Sequence, residues 1–512
     1  MARGAGERRL NRWLSIALLL AGAALALAFA PLGFWPLAIL APAVLFAALA
    51  TADSARRAAW LGFCFGLGTF AAGTYWLEIS IHGFGRAPLA LALGLMAGLV
   101  ALMAAYHAVL GFVAARWLPT RGAFRYLLGL PAAWTLLEWL RGWALSGFGW
   151  LSLGYSQSDT WLAGLAPLGG VPLLTFVLTV QAGALVWAWQ GDTRARSWAV
   201  VILIVPWLAG RIVGTLEFTR AIGAPVGVAV VQGAIPQDQK WLDGNRDTTL
   251  ARYRELTKSA LGTPVIVWPE SAAPDLANNL VPYLRELAGL AAGARSALVL
   301  GLIRAEPGPS GGRPQYFNSV LGLDTEVAWY DKHHLVPFAE FFPVPDFVRA
   351  WLRVLDLPYS DFTKGAAVQA PLTVAGIKLS ASVCYEDAYS LTRRVTDGAA
   401  HALVNVTNDA WFGRSTARYQ HLQIARLRAL ESQRFLIRAA NDGVSAVIGP
   451  RGELVAVAPE YTPTVLRAAL VPRSGITPYQ RFGNPPVLLL ATLALLVAVR
   501  VRRRELSPAS PV

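Results

Sequence analysis

The sequence predicts two kinds of structure in one chain: an α-helical membrane bundle of about eight spans, and an α/β domain inserted before the last of them. Three observations carry this. Of 512 residues, 55% are hydrophobic and only 15% charged, against about 45–50% and 25% in ordinary soluble chains. The apolar residues concentrate from about residue 13 to 216 and again from Pro485 to Val499. Between these blocks, short β-branched runs alternate with helix-like stretches.

The first block divides at Pro, Gly and Arg clusters into seven candidate spans: Trp13 to Ala30, Phe34 to Ala50, Ala59 to Ile79, Pro88 to Ala115, Tyr126 to Leu140, Gly164 to Trp189 and Trp198 to Val213. The C-terminal stretch makes an eighth. Several reach only about 15–17 residues, at the lower limit of the roughly 17–25 needed to cross. Arg8, Arg9 and Arg12, an apolar run and then Ala28-Phe29-Ala30 also fit a cleaved secretory signal. Another apolar span begins at once, which favours an uncleaved first span. Either reading leaves the large polar segment on the outer face.

Loop charges set the orientation. Arg3, Arg8, Arg9 and Arg12, then Arg56 and Arg57, Arg116, Arg121 and Arg125, Arg194 and Arg196, and finally Arg500, Arg502, Arg503 and Arg504 all fall on one side. The opposite short loops carry Arg86, with Arg141 at a boundary. This alternation predicts both termini in the cytoplasm. It divides the chain into a membrane domain at 1–216, an outward-facing domain at 217–484, and a last span with a cytoplasmic tail at 485–512. The formal net charge of +14 is thus an orientation signal, and the low charge fraction argues against a nucleic-acid partner. Two cysteines, Cys64 and Cys384, exclude a disulfide scaffold.

In the outer segment, Val226 to Val231, Val265 to Trp268, Ala297 to Gly301, Ser319 to Leu323, Leu379 to Val383, Ala402 to Val406 and Ser445 to Ile448 have strand length and composition. Asn245 to Leu261 and Thr416 to Leu430 read as helices. Pro307 to Gly312 reads as an exposed loop.

Three polar residues stand where an apolar run stops: Glu270, Lys332 and Cys384, at spacings of 62 and 52 residues. Carboxyl ends of strands are where ligand-facing groups gather in α/β folds. A carboxylate, an ammonium and a thiol form a consistent set. The thiol attacks, the carboxylate takes and returns its proton, and the ammonium favours thiolate and steadies an oxyanion. Each alone has a plain structural explanation, as Cys64 does in the third span, where a buried thiol is a small hydrophobe. His333 and His334 are adjacent and lack metal-ligand spacing, so no metal is expected. Neither a GxSxG elbow nor a phosphate loop occurs. Glu138 and Arg141 read equally as a structural pair or as a functional intramembrane group. Trp143, Phe148, Trp150 and Tyr155 read as an interfacial belt or as substrate contacts.

The ordered Glu, Lys and Cys resemble the triad of the nitrilase superfamily. Over nearly the whole chain, the sequence resembles the bacterial apolipoprotein N-acyltransferase family. The segments that carry this are VQGAIPQDQKW (Val231 to Trp241), VIVWPES (Val265 to Ser271), YDKHHLVPFAE (Tyr330 to Glu340), SVCYED (Ser382 to Asp387), NVTNDAWFG (Asn405 to Gly413) and ALESQRFLIRAANDGVSAVIGPRG (Ala429 to Gly452). GFCFGLGTFAAGTYW (Gly62 to Trp76) and GFGWLSLGYSQ (Gly147 to Gln157) match in the helical half. Ala339 stands where the family has glycine.

The resemblance implies a nitrilase-like αββα sandwich facing the periplasm, on a multi-pass base in the bacterial inner membrane. It implies that Cys384 takes an acyl chain from the sn-1 position of a phospholipid, typically phosphatidylethanolamine, as a thioester. The α-amine of a diacylated apolipoprotein then takes it over, with Glu270 as base in both steps. It also implies that Glu340, Tyr385 and Glu386 are required neighbours, that Trp241 contacts substrate, and that no cofactor takes part. Two rivals remain: a membrane-tethered amidase using the same triad, and a non-enzymatic receptor or transporter. The second would place charged groups along several spans, where few stand beyond Glu78, His107 and Glu138.

Overall fold

The computed structural model describes residues 2–308, 313–337, 339–341, 362–389 and 398–506. Residues 309–312 of the expected Pro307 to Gly312 loop lie outside them. The chain divides into two compact units: Met1–Leu216, Arg414–Gln423 and Phe482–Val512 in one, Glu217–Gly413 and Ile424–Arg481 in the other.

The first unit is helical. Its helices are α1 (Ala2–Leu25), α2 (Leu37–Leu49), α3 (Ala55–Gly73), α4 (Leu89–Arg116), α5 (Leu130–Arg141), α6 (Ala166–Gln190) and α7 (Thr193–Val213), with a C-terminal helix Pro485–Leu506. Four stretches among the described residues are long and apolar enough to cross a membrane: Leu89–Arg116, Trp161–Gln190, Thr193–Val213 and Pro485–Leu506. That is half the number the sequence predicts. Two of the others are short: the apolar stretch Arg12–Ala28 and α2, which has 13 residues, stand at or below the roughly 17 that span a bilayer, whereas α5 continues without a break from a π-helical turn at Phe124–Gly129.

Apolar side chains here face outward as well as inward. On α7, Val200, Val201, Ile204, Val205, Leu208 and Ile212 are 44–64% exposed, an arrangement that suits a lipid-facing helix and not a water-facing one. Inside, small residues let the backbones approach. A Cβ on Gly62 of α3 would collide with the His107 carbonyl of α4, and one on Gly68 with the Leu19 carbonyl of α1, the close packing that membrane helices favour. The C-terminal helix seats Ala491 and Ala494 beside Ala132 of α5.

Glu138 and Arg141 form a 3.9 Å ion pair. Arg141 also donates to the carbonyls of Phe148 and Trp150, both at 2.7 Å, and Glu138 accepts from the Leu153 N–H at 2.9 Å. The pair therefore fastens the 142–157 segment. This overturns part of the aromatic belt: Trp150 and Tyr155 are interior at 1% and 4% exposure, while Trp143 is half exposed. The Trp150 indole donates to Gln420 at 2.6 Å, so its polar edge is satisfied within the protein and not at a headgroup.

The second unit is built on two six-stranded sheets. One runs β13-β2-β3-β4-β5-β6 and comprises β2 (Val226–Gln232), β3 (Val265–Val267), β4 (Ala297–Glu306), β5 (Gln315–Leu323), β6 (Val327–Asp331) and β13 (Thr464–Leu470). The other runs β12-β11-β10-β9-β8-β7 and comprises β7 (Leu372–Val374), β8 (Ile377–Val383), β9 (Ala402–Thr407), β10 (Leu436–Ala440), β11 (Ala446–Ile448) and β12 (Leu454–Val457). β1 (Thr219–Ala221) and β14 (Arg473–Gly475) pair separately.

The core between the sheets takes alternate residues from both: Val228, Val230, Val265, Val267 and Val299 from one, Leu379, Ala381, Val383, Val404, Val406 and Ile437 from the other. The intervening positions Ala229, Val231, Ile266, Leu298 and Leu300 pack outward with Leu250 and Tyr253 of α8 (Arg246–Ala260) and Leu284 and Leu287 of α9 (Val281–Gly293). Strands covered on both faces read as unbroken apolar runs. The parallel pairs β2–β3 and β3–β4 need crossovers, which α8 and α9 supply; the parallel pair β9–β10 is joined through α10 (Ala417–Ser432).

Candidate active site

Each member of the expected triad stands just past a strand: Glu270 after β3, Lys332 after β6, Cys384 after β8. Parallel register places β3 and β4 side by side, and β5 carries β6 alongside, so Glu270 and Lys332 emerge in one sheet. Cys384 emerges from the other sheet. Its φ of +51° puts a residue with a Cβ in the left-handed region, a local strain that surrounding contacts must hold. Asn405 on β9 supplies one such contact, donating to the Cys384 carbonyl at 3.3 Å and to Ser382 Oγ at 2.9 Å.

Lys332 is 1% exposed. Its Nζ lies 2.8 Å from Glu340 Oε1 and 3.8 Å from Glu270 Oε1. Burial alone would pull this ammonium down, but the Glu340 and Glu270 carboxylates outweigh it and hold its pKa above the ordinary lysine range. Lys332 is therefore a fixed cation. Asn318 on β5 donates from one amide nitrogen to Glu270 Oε1 at 2.7 Å and Glu340 Oε1 at 3.1 Å, and the Asn408 N–H donates to Glu270 Oε2 at 2.9 Å. Both oxygens of the buried Glu270 carboxylate are thus oriented.

The Cys384 thiol departs from the sequence expectation. Burial pushes its pKa well above the usual range, Glu270 adds to the rise, and Lys332 opposes it without prevailing. Lys332 does not by itself produce a resting thiolate. The thiol is neutral at rest, and its proton must leave as the sulfur attacks, a task for a carboxylate base.

Glu386 has a structural part that sequence reasoning does not give. Its Oε1 accepts from the main-chain N–H of His333 at 2.7 Å and His334 at 3.1 Å; its Oε2 accepts from Val383 N–H at 2.8 Å and Tyr330 Oη at 3.0 Å. It therefore ties the turn after Lys332 to the strand end before Cys384. Burial raises its pKa, with the N–H donors acting in opposition. Glu340 Oε2 accepts from Val336 N–H at 2.8 Å. The Tyr385 ring meets Tyr389 edge-on at 5.2 Å, and Tyr389 stacks on His334 at 4.2 Å. Burial, with His333, Lys364 and Lys332 nearby, lowers His334 to about 4. Trp241 is half-buried, with the Lys240 ammonium 5.9 Å from its ring. Among the described residues, no group of three or more His, Cys, Asp or Glu could hold a metal ion.

Sequence reasoning missed Asn318, Asn408, Asn405 and Lys240. The last three lay inside motifs already singled out. Asn318, a lone amide in an apolar strand, could have been flagged because a buried amide requires partners.

A two-sheet sandwich that gathers a carboxylate, an ammonium and a thiol at its strand ends defines the carbon–nitrogen hydrolase class, and residues 227–480 match the carbon-nitrogen hydrolase family. Residues 21–185 match the apolipoprotein N-acyltransferase N-terminal domain. Similar proteins named apolipoprotein N-acyltransferase occur in Vibrio parahaemolyticus (37% identical, 97% of this chain and 98% of that one), Azotobacter vinelandii (39%, 96% of each) and Methylococcus capsulatus (39%, 95% and 96%). This chain belongs to the apolipoprotein N-acyltransferase family.

Proposed function

We propose that the chain is a membrane-embedded N-acyltransferase that completes bacterial lipoproteins, with Cys384 as nucleophile, Glu270 as base and Lys332 as the fixed cation. What carries the reading is the convergence of Lys332 on Glu270 at 3.8 Å, with both charges acting on the Cys384 thiol, in a chain related to this family along nearly its whole length.

In the first half, the sulfur attacks the sn-1 ester carbonyl of a phospholipid such as phosphatidylethanolamine while Glu270 takes the thiol proton. The oxyanion forms beside Lys332. Collapse breaks the ester C–O bond, the glycerol oxygen recovers the proton from Glu270, and a lysophospholipid leaves a thioester behind. In the second half, the α-amine of an S-diacylglyceryl-cysteine apolipoprotein attacks the thioester. Glu270 removes a proton from nitrogen and returns it to the departing sulfur. A thioester is reactive enough for amine attack and survives only where water is kept out. Glu340 pairs with Lys332, Glu386 and Tyr385 shape the turn beside Cys384, and Trp241 meets substrate.

The helical unit gives this chemistry its setting: eight spans in the inner membrane, both termini cytoplasmic and residues 217–484 periplasmic. The outward-facing apolar side chains of α7 and the one-sided arginines support this topology. An amidase using the same residues would have no use for so much apolar helix.

The test supplies radiolabelled phospholipid to the purified protein and then adds a diacylated lipopeptide. Label is expected on the lipopeptide amine, and no transfer in Cys384→Ala, Glu270→Ala or Lys332→Ala proteins that still fold. Release of label only as free fatty acid, or transfer by the Cys384→Ala protein, contradicts the reading.

A further inference from the structure

A second buried lysine stands beside the base, and the mechanism above gives it no part. Lys240, the residue before Trp241, is 1% exposed. Its Nζ donates to the main-chain carbonyl of Glu270 at 3.3 Å. The segment that carries it is anchored on the same surroundings: Ile235 exchanges two hydrogen bonds with the Asn441 side chain at 3.1 and 2.7 Å. Asn408 donates from its side chain to Gln237 at 2.7 Å and from its main chain to the Glu270 carboxylate at 2.9 Å.

The charges facing these groups can be named. Lys240 meets Glu270 and Asp442. Glu270 meets Lys332 at 3.8 Å and acts on Cys384, while Lys332 is engaged more closely by Glu340 at 2.8 Å. Much of the Lys332 charge is therefore answered by Glu340, and Lys240 is an additional cation on the opposite sequence segment. Burial lowers Lys240 to about 8 against the opposing pull of Glu270 and Asp442, so it carries its charge at neutral pH. A buried ammonium is costly unless it is partnered, here by the Glu270 carbonyl and the charges of Glu270 and Asp442, and perturbed groups of this kind cluster where chemistry occurs.

We propose that Lys240 is a positioning residue for Glu270: it clamps the main chain of the base to the Trp241 segment, and its charge favours passage of the captured proton from Glu270 to the departing glycerol oxygen. The proposal rests on the acyl-transfer reading. In acylation the S–H bond breaks as the S–C bond forms, the proton resides on Glu270, and it moves to the oxygen freed when the ester C–O bond breaks. A cation beside Glu270 opposes retention of that proton, and its removal strengthens retention.

The experiment measures the rate of hydroxylamine-labile acyl adduct formation against pH. It uses full-length protein in detergent micelles containing radiolabelled phosphatidylethanolamine. In Lys240→Met the acid limb is expected to move up by about one pH unit, the low end for loss of a neighbouring opposite charge. Below the limb the rate falls about tenfold, and above about pH 8, where the parental lysine sheds its proton, the two profiles converge. Lys240→Gln removes the charge but keeps a donor for the Glu270 carbonyl, and the same shift is expected; it decides the matter should the methionine protein fail to fold. An unmoved limb, or an equal loss at every pH, overturns the proposal while a labile adduct on the parental protein leaves the acyl-transfer reading standing. No labile adduct on the parental protein sinks both.

Discussion

Replacing Glu386 by glutamine keeps size and shape and changes one oxygen to an amino group. Turned one way, that amino group faces the N–H groups of His333 and His334; turned the other way, it faces the Val383 N–H and the Tyr330 hydroxyl, which rotates to accept from it. In the better orientation the Val383 N–H is left without its acceptor, at about 1–3 kcal/mol. The expected destabilisation is roughly 1–3 kcal/mol, appreciable against a domain stability of about 5–15 kcal/mol. Because the lost bond belongs to the set that joins the Lys332 turn to the Cys384 turn, catalysis suffers further, since a shift of about 1 Å costs on the order of 100-fold. Denaturant unfolding of the detergent-purified protein, with acyl-adduct formation measured on the folded fraction, reads both effects. A Glu386→Gln protein within about 0.5 kcal/mol of the parent and with a parental acylation rate would refute the stapling role.

Other expectations follow from the same geometry. Alkylation of Cys384 is expected to be slow at pH 7 and to rise with pH beyond the ordinary thiol range. Glu270→Gln lowers the pH at which it rises and Lys332→Met raises it, so shifts of equal sign in iodoacetamide kinetics would contradict the electrostatics. Arg438 and Asp409, both fully buried, pair at 2.8 Å; Asp409→Leu is expected to cost about 3–5 kcal/mol, and adding Arg438→Met to recover most of it, as read by denaturation midpoints. Lys240 has a folded pKa of about 8 against an ordinary 10.5, so the unfolded chain binds its proton more tightly. The penalty is full below about pH 8 and fades as pH rises toward 10.5. That shift is worth about 3 kcal/mol, against about 1–3 kcal/mol for the Glu270 carbonyl left without its donor. Lys240→Met should therefore be no less stable than the parent at pH 7 and should lose the alkaline rise; a methionine variant that keeps the rise would contradict this.

The strands of the second unit were legible because burial on both faces writes them as continuous apolar runs, and the triad because each member interrupts such a run. Val226–Gln232, Ala402–Thr407 and the helix Arg246–Ala260 lie within a residue or two of expectation. The exposed edge strand Leu454–Val457 did not stand out, having neither a buried face nor clean alternation. The helical unit was legible as a hydropathy block, while its individual span lengths were not: Arg12–Ala28 and Leu37–Leu49 are shorter than the other apolar helices. The site was legible in its residue types and not in its wiring. Nothing local in the sequence says that Asn318 bridges two carboxylates 70 residues apart, or that Glu386 reaches back to His333. Nor could it give the direction of the Cys384 shift, because that balance of burial against two charges exists only once both sheets have closed.

The central claim is that the acyl chain passes through Cys384. Peptide mass spectrometry of the protein after a single turnover with phospholipid locates the adduct directly. The expected result is an acyl thioester on the fragment containing Cys384, cleaved by hydroxylamine and lost as acylated lipopeptide accumulates on addition of the acceptor. An adduct on another residue, or lipopeptide acylated at the parental rate while Cys384 is alkylated, would contradict the account.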